Sequence, residues 1–142
     1  MRVLYVLLII LLSFNCFSQK IKLKKNKHYT VFVIGDTIKL NQTGQIKFRV
    51  KATKGFKFTN EYQHALKNLK LEGLKIQKRE IKLSGDDVLD LNYTVIRTSK
   101  NPTLEGNLEF SIKGLPVNKV PFTIPDRTKA RSSNDPIFFF PK

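Results

Sequence analysis

The sequence predicts an all-β fold, an immunoglobulin-like sandwich of about seven strands. Apolar and polar residues alternate with a period of two over most of the chain, which is typical of strands with one face in a core and one in water. Glycine, proline, asparagine and aspartate interrupt this alternation about every 8 to 12 residues, as turns between short strands do. A chain of 142 residues is long enough for one domain with a single core.

We assign the strands in chain order from this alternation. A helix competes only over residues 62–71, where Leu66 and Leu69 have helical spacing. The stretch is too short for a stable helix, and we expect a strand or at most one helical turn. A polar break at 77–80 predicts a bulge or kink. The predicted strands are 29–34, 43–53, 66–71, 74–83, 89–95, 104–112 and 117–124. Their apolar phase includes the phenylalanines that we expect in the core, namely Phe32, Phe48, Phe110 and Phe122.

The first 18 residues have the features of a secretory signal peptide. Arg2 precedes an apolar run over 3–12, and small or polar residues follow. The run is shorter than the roughly 20 residues that cross a bilayer. We therefore expect cleavage after Ser18 and a periplasmic or extracellular protein. Cys16 raises the alternative of a lipoprotein, which we favour less because Asn15 is not the small residue that precedes a lipidated cysteine.

Basic residues dominate the charge of the chain. Lysine and arginine outnumber aspartate and glutamate by 26 to 11, which gives a formal net charge of +15. Such a field attracts polyanions and acidic partners, although scattered lysines on solvated strand faces are the simpler interpretation. The densest cluster, between Lys20 and Lys27, suits anionic lipid or acidic protein surfaces. Because Cys16 is the only cysteine, the mature domain is expected to depend on its core without a disulfide.

One segment carries a family resemblance. Residues 52–62 read Ala-Thr-Lys-Gly-Phe-Lys-Phe-Thr-Asn-Glu-Tyr, a leucine-rich strand follows, and the last strand contains Val-Pro-Phe-Thr-Ile at 120–124. Over about residues 29 to 125 this arrangement resembles the periplasmic N-terminal domain family of the thiol:disulfide interchange proteins, which implies an immunoglobulin-like sandwich. Redox-active members carry a cysteine pair in the last hairpin, because a thiolate must attack the disulfide. Here that hairpin, 111–119, has no cysteine, so thiol transfer is not implied.

Residues that could carry catalysis or bind a metal are few. The histidines are His28 and His64, of which His64 is expected at the surface or as a cap, and with no mature cysteine a zinc site would need carboxylates. Asp86, Asp87 and Asp90 lack the spacing and central glycine of a calcium loop, which favours a polar turn. No serine-nucleophile motif, phosphate-binding glycine loop or marked carboxylate pair occurs. We predict a non-enzyme with no cofactor and no metal.

The end of the chain suggests a binding role. A polar linker after Pro125 ends in large apolar residues that need a groove on this domain or on a partner. We predict a signal peptide at 1–18, a sandwich at 19–125, and a linker and aromatic tail at 126–142. The predicted partner-binding residues are Ile137, Phe138, Phe139 and Phe140 of the tail, with Gly114, Leu115 and Pro116 of the last hairpin.

Three functional hypotheses follow from these features. The leading one is an exported, non-catalytic protein-interaction module of the bacterial cell envelope, an accessory subunit anchored in an envelope protein through its tail. The second is a redox-pathway accessory that keeps a partner surface at the last hairpin without thiol chemistry. The third is a basic binder of anionic envelope lipid or polysaccharide. Nucleic acid is not expected as a partner, because the aromatic residues that would stack on bases are assigned to the core.

Overall fold

The computed structural model describes residues 19–59, 64–124 and 140. The predicted signal peptide and most of the predicted tail lie outside these residues. Within them the chain forms eight strands, and no helix is long and apolar enough to cross a membrane. The all-β prediction is confirmed. The strands are β1 Gln19–Lys25, β2 Tyr29–Gly35, β3 Thr43–Ala52, β4 Ala65–Glu72, β5 Leu74–Ser84, β6 Val88–Arg97, β7 Thr103–Phe110 and β8 Asn118–Ile124.

The strands form two antiparallel sheets. The larger sheet has the order β1-β2-β3-β6-β5, and the smaller sheet has the order β4-β7-β8. If β2 to β8 are lettered A to G, the sheets read ABED and CFG, the order of constant-type immunoglobulin domains. The predicted sandwich is therefore confirmed, and β1 is an extra strand on the edge of its larger sheet.

The core lies between the two sheets and is rich in aromatic residues. Phe48 of the larger sheet packs against Phe122 of the smaller one with ring centroids 4.6 Å apart, and Tyr29 meets Phe110 edge-on at 4.8 Å. Aromatic pairs in such arrangements contribute beyond the area that they bury. Phe48, Phe110 and Phe122 are buried, as predicted.

Strand β1 corrects the prediction that residues 20–27 form only a basic cluster. Lysines alternate there with Ile21 and Leu23, and both apolar side chains are partly buried against the core. The period-two pattern was missed because the lysines of this strand outnumber its two apolar residues, Ile21 and Leu23. The larger sheet therefore has five strands instead of four.

The predicted break in the fifth strand is confirmed as a bulge. The pairing of β5 with β6 shifts register between Ile76 and Lys78. A second shift, in β4 between Lys67 and Lys70, lies opposite Gly106 of β7. A Cβ atom at Gly106 would come within 2.9 Å of the Lys67 carbonyl oxygen. The glycine therefore lets the bulged strand approach β7 closely.

Each of the four edge strands is interrupted. Strand β1 has a register shift between Lys22 and Lys24, and β5 has the bulge described above. In β4 the shift includes Asn68, whose φ of 54° is left-handed. In β8 the interruption is Pro121, which has no N–H to donate to a further strand. Bulges and prolines of this kind discourage pairing with another chain.

Candidate functional site

The outer face of the larger sheet is the most unusual surface of the described chain. Inward residues of β2, β3 and β6 are buried, and the residues between them point away from the core. The pairing registers place outward residues of all five strands side by side. One such row runs Lys22, Phe32, Arg49, Asp90, Lys82 from β1 to β5.

The basic residues of this face form three columns on alternate strands. Neighbouring strands are about 4.8 Å apart, so the columns are separated by about 10 Å. We call this surface the basic face. Its basic residues are Lys20, Lys22 and Lys25 on β1, Lys47, Arg49 and Lys51 on β3, and Lys75, Lys78 and Lys82 on β5.

Two of these nine cations are paired with the two carboxylates of the face. The Arg49 guanidinium donates to both Asp90 carboxylate oxygens, at 2.8 and 3.0 Å. This hydrogen bonding raises the pKa of Arg49 above its usual value, against a smaller lowering by burial. Lys78 lies 2.7 Å from Glu80. Within the described residues, the other seven are all lysines with no ion-pair partner.

The strands between the columns carry mostly uncharged residues. On β2 these include Phe32 and Ile34, and on β6 they include Val88 and Ile96; all four are half-buried. The Lys20 ammonium lies 4.2 Å from the centre of the Phe32 ring, a cation–π contact. The face therefore combines unpaired cations with a partly apolar floor.

Phe32 corrects the prediction that placed it in the core. In β2 the buried phase is Tyr29, Val31 and Val33, and Phe32 lies on the opposite face beside Arg49. All residues from 29 to 34 except Thr30 are bulky and apolar, so alternation does not indicate which face of this strand is buried. Alternation in β3, which is unambiguous, could have supplied it through the pairing of Phe32 with Arg49.

The predicted hairpin residues do not form a concave site. Gly114 has a left-handed φ of 81° and is exposed, as is Pro116, whereas Leu115 is half-buried against the core. This turn follows the C-terminal end of β7. Arg97, which contacts Phe140, lies near the other end of β7, because it is the last residue of β6. The hairpin residues and Phe140, the one described residue of the predicted tail group, therefore lie at opposite ends of the sandwich.

The one described residue of the tail, Phe140, is buried in this chain. Its exposed fraction is 7 %, and it belongs to the hydrophobic core cluster. The Arg97 guanidinium lies 5.9 Å from the centre of its ring. The sequence alone is compatible with docking of the tail in cis or on a partner. The position of Phe140 favours docking in cis, while Ile137, Phe138 and Phe139 lie outside the described residues.

Arg97 connects two loops at this end of the sandwich. Its guanidinium donates to the Ile38 carbonyl oxygen at 2.9 Å, to that of Ser99 at 3.0 Å and to that of Lys100 at 2.8 Å. The side chain is buried. Buried charges are tolerated when such hydrogen bonds replace water, so Arg97 fixes the surface on which Phe140 rests.

His64 also differs from its prediction as a surface or capping residue. It is buried, with Nε2 at 2.7 Å from the Thr59 carbonyl oxygen, and its Nδ1 accepts the Ser111 N–H at 3.2 Å. The proton therefore lies on Nε2, and both ring nitrogens are used. His64 joins the start of β4 to the end of β7 and has no nitrogen left for a metal.

The acidic candidates do not converge. Asp86 and Asp87 are exposed in the turn before β6, whereas Asp90 lies on the basic face with Arg49. The described part of the chain holds no group of three or more histidine, cysteine or acidic residues placed to bind a metal ion.

No protein-family model and no curated protein matches this sequence. The resemblance to the N-terminal domains of thiol:disulfide interchange proteins therefore stays a prediction, and any functional assignment depends on the surface described above.

Proposed function

We propose that this protein is an exported, non-catalytic binding module that holds an anionic partner on the basic face of its larger sheet. The observation that supports this proposal best is the set of seven lysines without an acidic partner on one face. Placing like charges together is unfavourable in the free protein, because each lysine raises the potential felt by the others. An anionic partner would relieve that repulsion.

The arrangement favours attraction by charge over a closely fitted ligand. Lysine is a compact, hydrated charge on a flexible stem, whereas arginine gives the rigid double contact that fixed anions require. The arginine of this face is already bound to Asp90. Binding is therefore expected to be fast and to weaken steeply with salt.

This proposal differs from the tail-anchor hypothesis in where the partner binds. Burial of Phe140 against Arg97 removes that ring from the surface, whereas the seven lysines remain available. Phe140 is thus better assigned to the stability of the domain, and partner binding to the larger sheet.

The test is retention of the purified protein on an immobilised soluble polyanion, such as polyphosphate. Lys47→Glu combined with Lys51→Glu reverses two charges at the centre of the face, and we expect elution at much lower salt. The matched control is Lys100→Glu combined with Lys113→Glu, which makes the same change in net charge at exposed loop positions. The control should elute close to the wild type. Equal shifts in both variants would mean that net charge alone governs retention and would contradict the proposal.

A further inference from the structure

We infer that the partner of the basic face is the surface of an anionic lipid bilayer, an inference that depends on the function proposed above. Three properties of the face carry it: the two-dimensional spread of the lysines, their side-chain chemistry, and the apolar residues between them.

The unpaired lysines cover an area and do not follow a line. The columns on β1, β3 and β5 span four strand spacings, or about 19 Å, and Lys47 and Lys51 are about 14 Å apart along β3. An extended polymer would contact one column or one row of such an array and leave most of the cations without an anion. A bilayer presents anions in two dimensions, so that it can satisfy all three columns together.

Lysine chemistry suits a fluid surface. Sheets twist, so the columns do not lie in one plane, but flexible lysine stems can reach a common level of headgroups. Lipid anions diffuse laterally and therefore do not need a fixed geometry from the protein. Lysines close to an anionic membrane each contribute to binding in a roughly additive way.

The residues between the columns favour a membrane over a polysaccharide. Binding of a sugar ring commonly uses an open aromatic face, but Phe32 is covered by Lys20 at 4.2 Å. Ile34, Val88 and Ile96 add apolar surface to the floor. Lysines interleaved with apolar side chains on one surface are typical of proteins that bind at the membrane interface.

The test compares binding of the purified protein to two kinds of vesicle, one of phosphatidylcholine alone and one of phosphatidylcholine and phosphatidylglycerol in equal parts. We expect binding only to the anionic vesicles. Lys47→Glu with Lys51→Glu should weaken it by at least about 25-fold, since each lysine near such a surface is worth about a factor of five. Lys100→Glu with Lys113→Glu should leave it within about twofold.

A second pair guards against a folding defect at the centre of the sheet. Lys75→Glu with Lys82→Glu changes exposed residues of the edge strand β5 and should weaken vesicle binding in the same way. Circular dichroism of every variant would show whether the sandwich is retained.

The orientation is tested by fluorescence, because the chain contains no tryptophan. Phe32→Trp places a single tryptophan on the basic face, and Val117→Trp places one on the hairpin between β7 and β8, where the native side chain is exposed. Anionic vesicles should shift the emission of the first variant to shorter wavelength and leave the second unchanged.

The outcomes separate the two proposals. Retention on polyphosphate without any preference for anionic vesicles would overturn the lipid inference and leave the proposed function standing. An equal loss of vesicle binding in the Lys100 and Lys113 variant and in the Lys47 and Lys51 variant would also overturn the inference. Failure to bind either polyphosphate or anionic vesicles would overturn both.

Discussion

Phe140 shows how the position of one side chain distinguishes two roles for a tail. A ring that docks in cis contributes to folding, whereas a ring that waits for a partner contributes nothing until it binds. Arg97 lies beneath it with its hydrogen bonds supplied by two loops. This platform exists only in the folded domain.

Phe140→Ala is therefore expected to lower the free energy of unfolding by about 2 kcal/mol, the value of one large buried apolar side chain. Urea unfolding followed by circular dichroism measures the change. Binding to polyphosphate should stay at the wild-type level in the same variant. An unchanged unfolding midpoint together with lost binding would restore the role of partner anchor to the tail.

Tyr93 provides a pH test of the packing between the sheets. Burial raises the pKa of its phenol, although the charge of Arg79 and a hydrogen bond with the Leu66 backbone act in the opposite direction. A raised pKa means that the folded state holds the proton more tightly than the unfolded chain does. The stabilisation is complete below the unfolded pKa of about 10 and is lost as the pH rises through the folded value.

The free energy of unfolding of the wild type should therefore fall more steeply above about pH 10 than that of Tyr93→Phe, which lacks the titrating group. Urea unfolding of both proteins at a series of alkaline pH values provides the comparison. Parallel curves would show that the phenol titrates alike in the folded and unfolded states.

Among the strands, the bulge of β4 is the local feature that depends most on one residue. Gly106 faces the Lys67 carbonyl oxygen at the distance where a Cβ would clash, and Leu69 and Phe122 are also close to it. The backbone oxygen cannot move without breaking the pairing of β4 with β7.

Gly106→Ala is therefore expected to destabilise the domain by about 1–3 kcal/mol, the usual range for overpacking, despite the higher strand propensity of alanine. Thermal unfolding is a sufficient measurement. Gly55→Ala is not a suitable comparison because that residue has a left-handed φ, but Glu105→Ala at the neighbouring exposed position of β7 should change the midpoint little. A neutral Gly106→Ala would imply that β4 and β7 separate easily at the bulge.

The strands show what alternation can and cannot predict. Where one phase is apolar and the other charged, as in β3, both the strand and its buried face followed from the sequence. Where both phases are bulky, as in β2, the strand was predicted but Phe32 was assigned to the wrong face. Where lysines outnumber the apolar residues, as in β1, a strand was mistaken for a cluster of charge.

The candidate site was harder to predict because it depends on register. The lysines of β1, β3 and β5 are far apart in the sequence, and they share a face only because the sheet order places these strands alternately. Knowledge of the immunoglobulin order alone would have brought β3 and β5 near each other, but the added edge strand would still have been missing. The burial of Phe140 could not be predicted either, since nothing in its local sequence identifies Arg97 as its neighbour.

At the scale of the whole molecule, charge and packing are divided between two surfaces. The core between the sheets is aromatic and apolar, and nine basic residues share the outer side of the larger sheet. Salt should therefore act on the two in opposite ways. Screening relieves repulsion among the lysines and favours the compact state, whereas it weakens attraction to an anionic partner.

The smaller sheet has a different balance of charge. Lys67 of β4 and Lys119 of β8 lie 3.6 and 3.7 Å from the two carboxylate oxygens of Glu109. One buried acid of β7 is therefore shared by lysines of the two strands that flank it. Two of the three lysines on the strands of this sheet, Lys67 and Lys119, are therefore used within it. The contrast supports the assignment of binding to the larger sheet, where lysines are left without such partners.

The interrupted edges matter for the proposed export and for the proposed binding to an anionic surface. A chain that reaches its compartment unfolded must fold among identical copies, and a cationic sandwich gathered on an anionic surface would meet those copies at high local concentration. Straight, open strands under such crowding would template one another into fibres. The bulges of β1, β4 and β5, and Pro121 of β8, interrupt each of the four described edges and so disfavour such templating. The molecule can therefore be concentrated in two dimensions and still remain a population of separate domains.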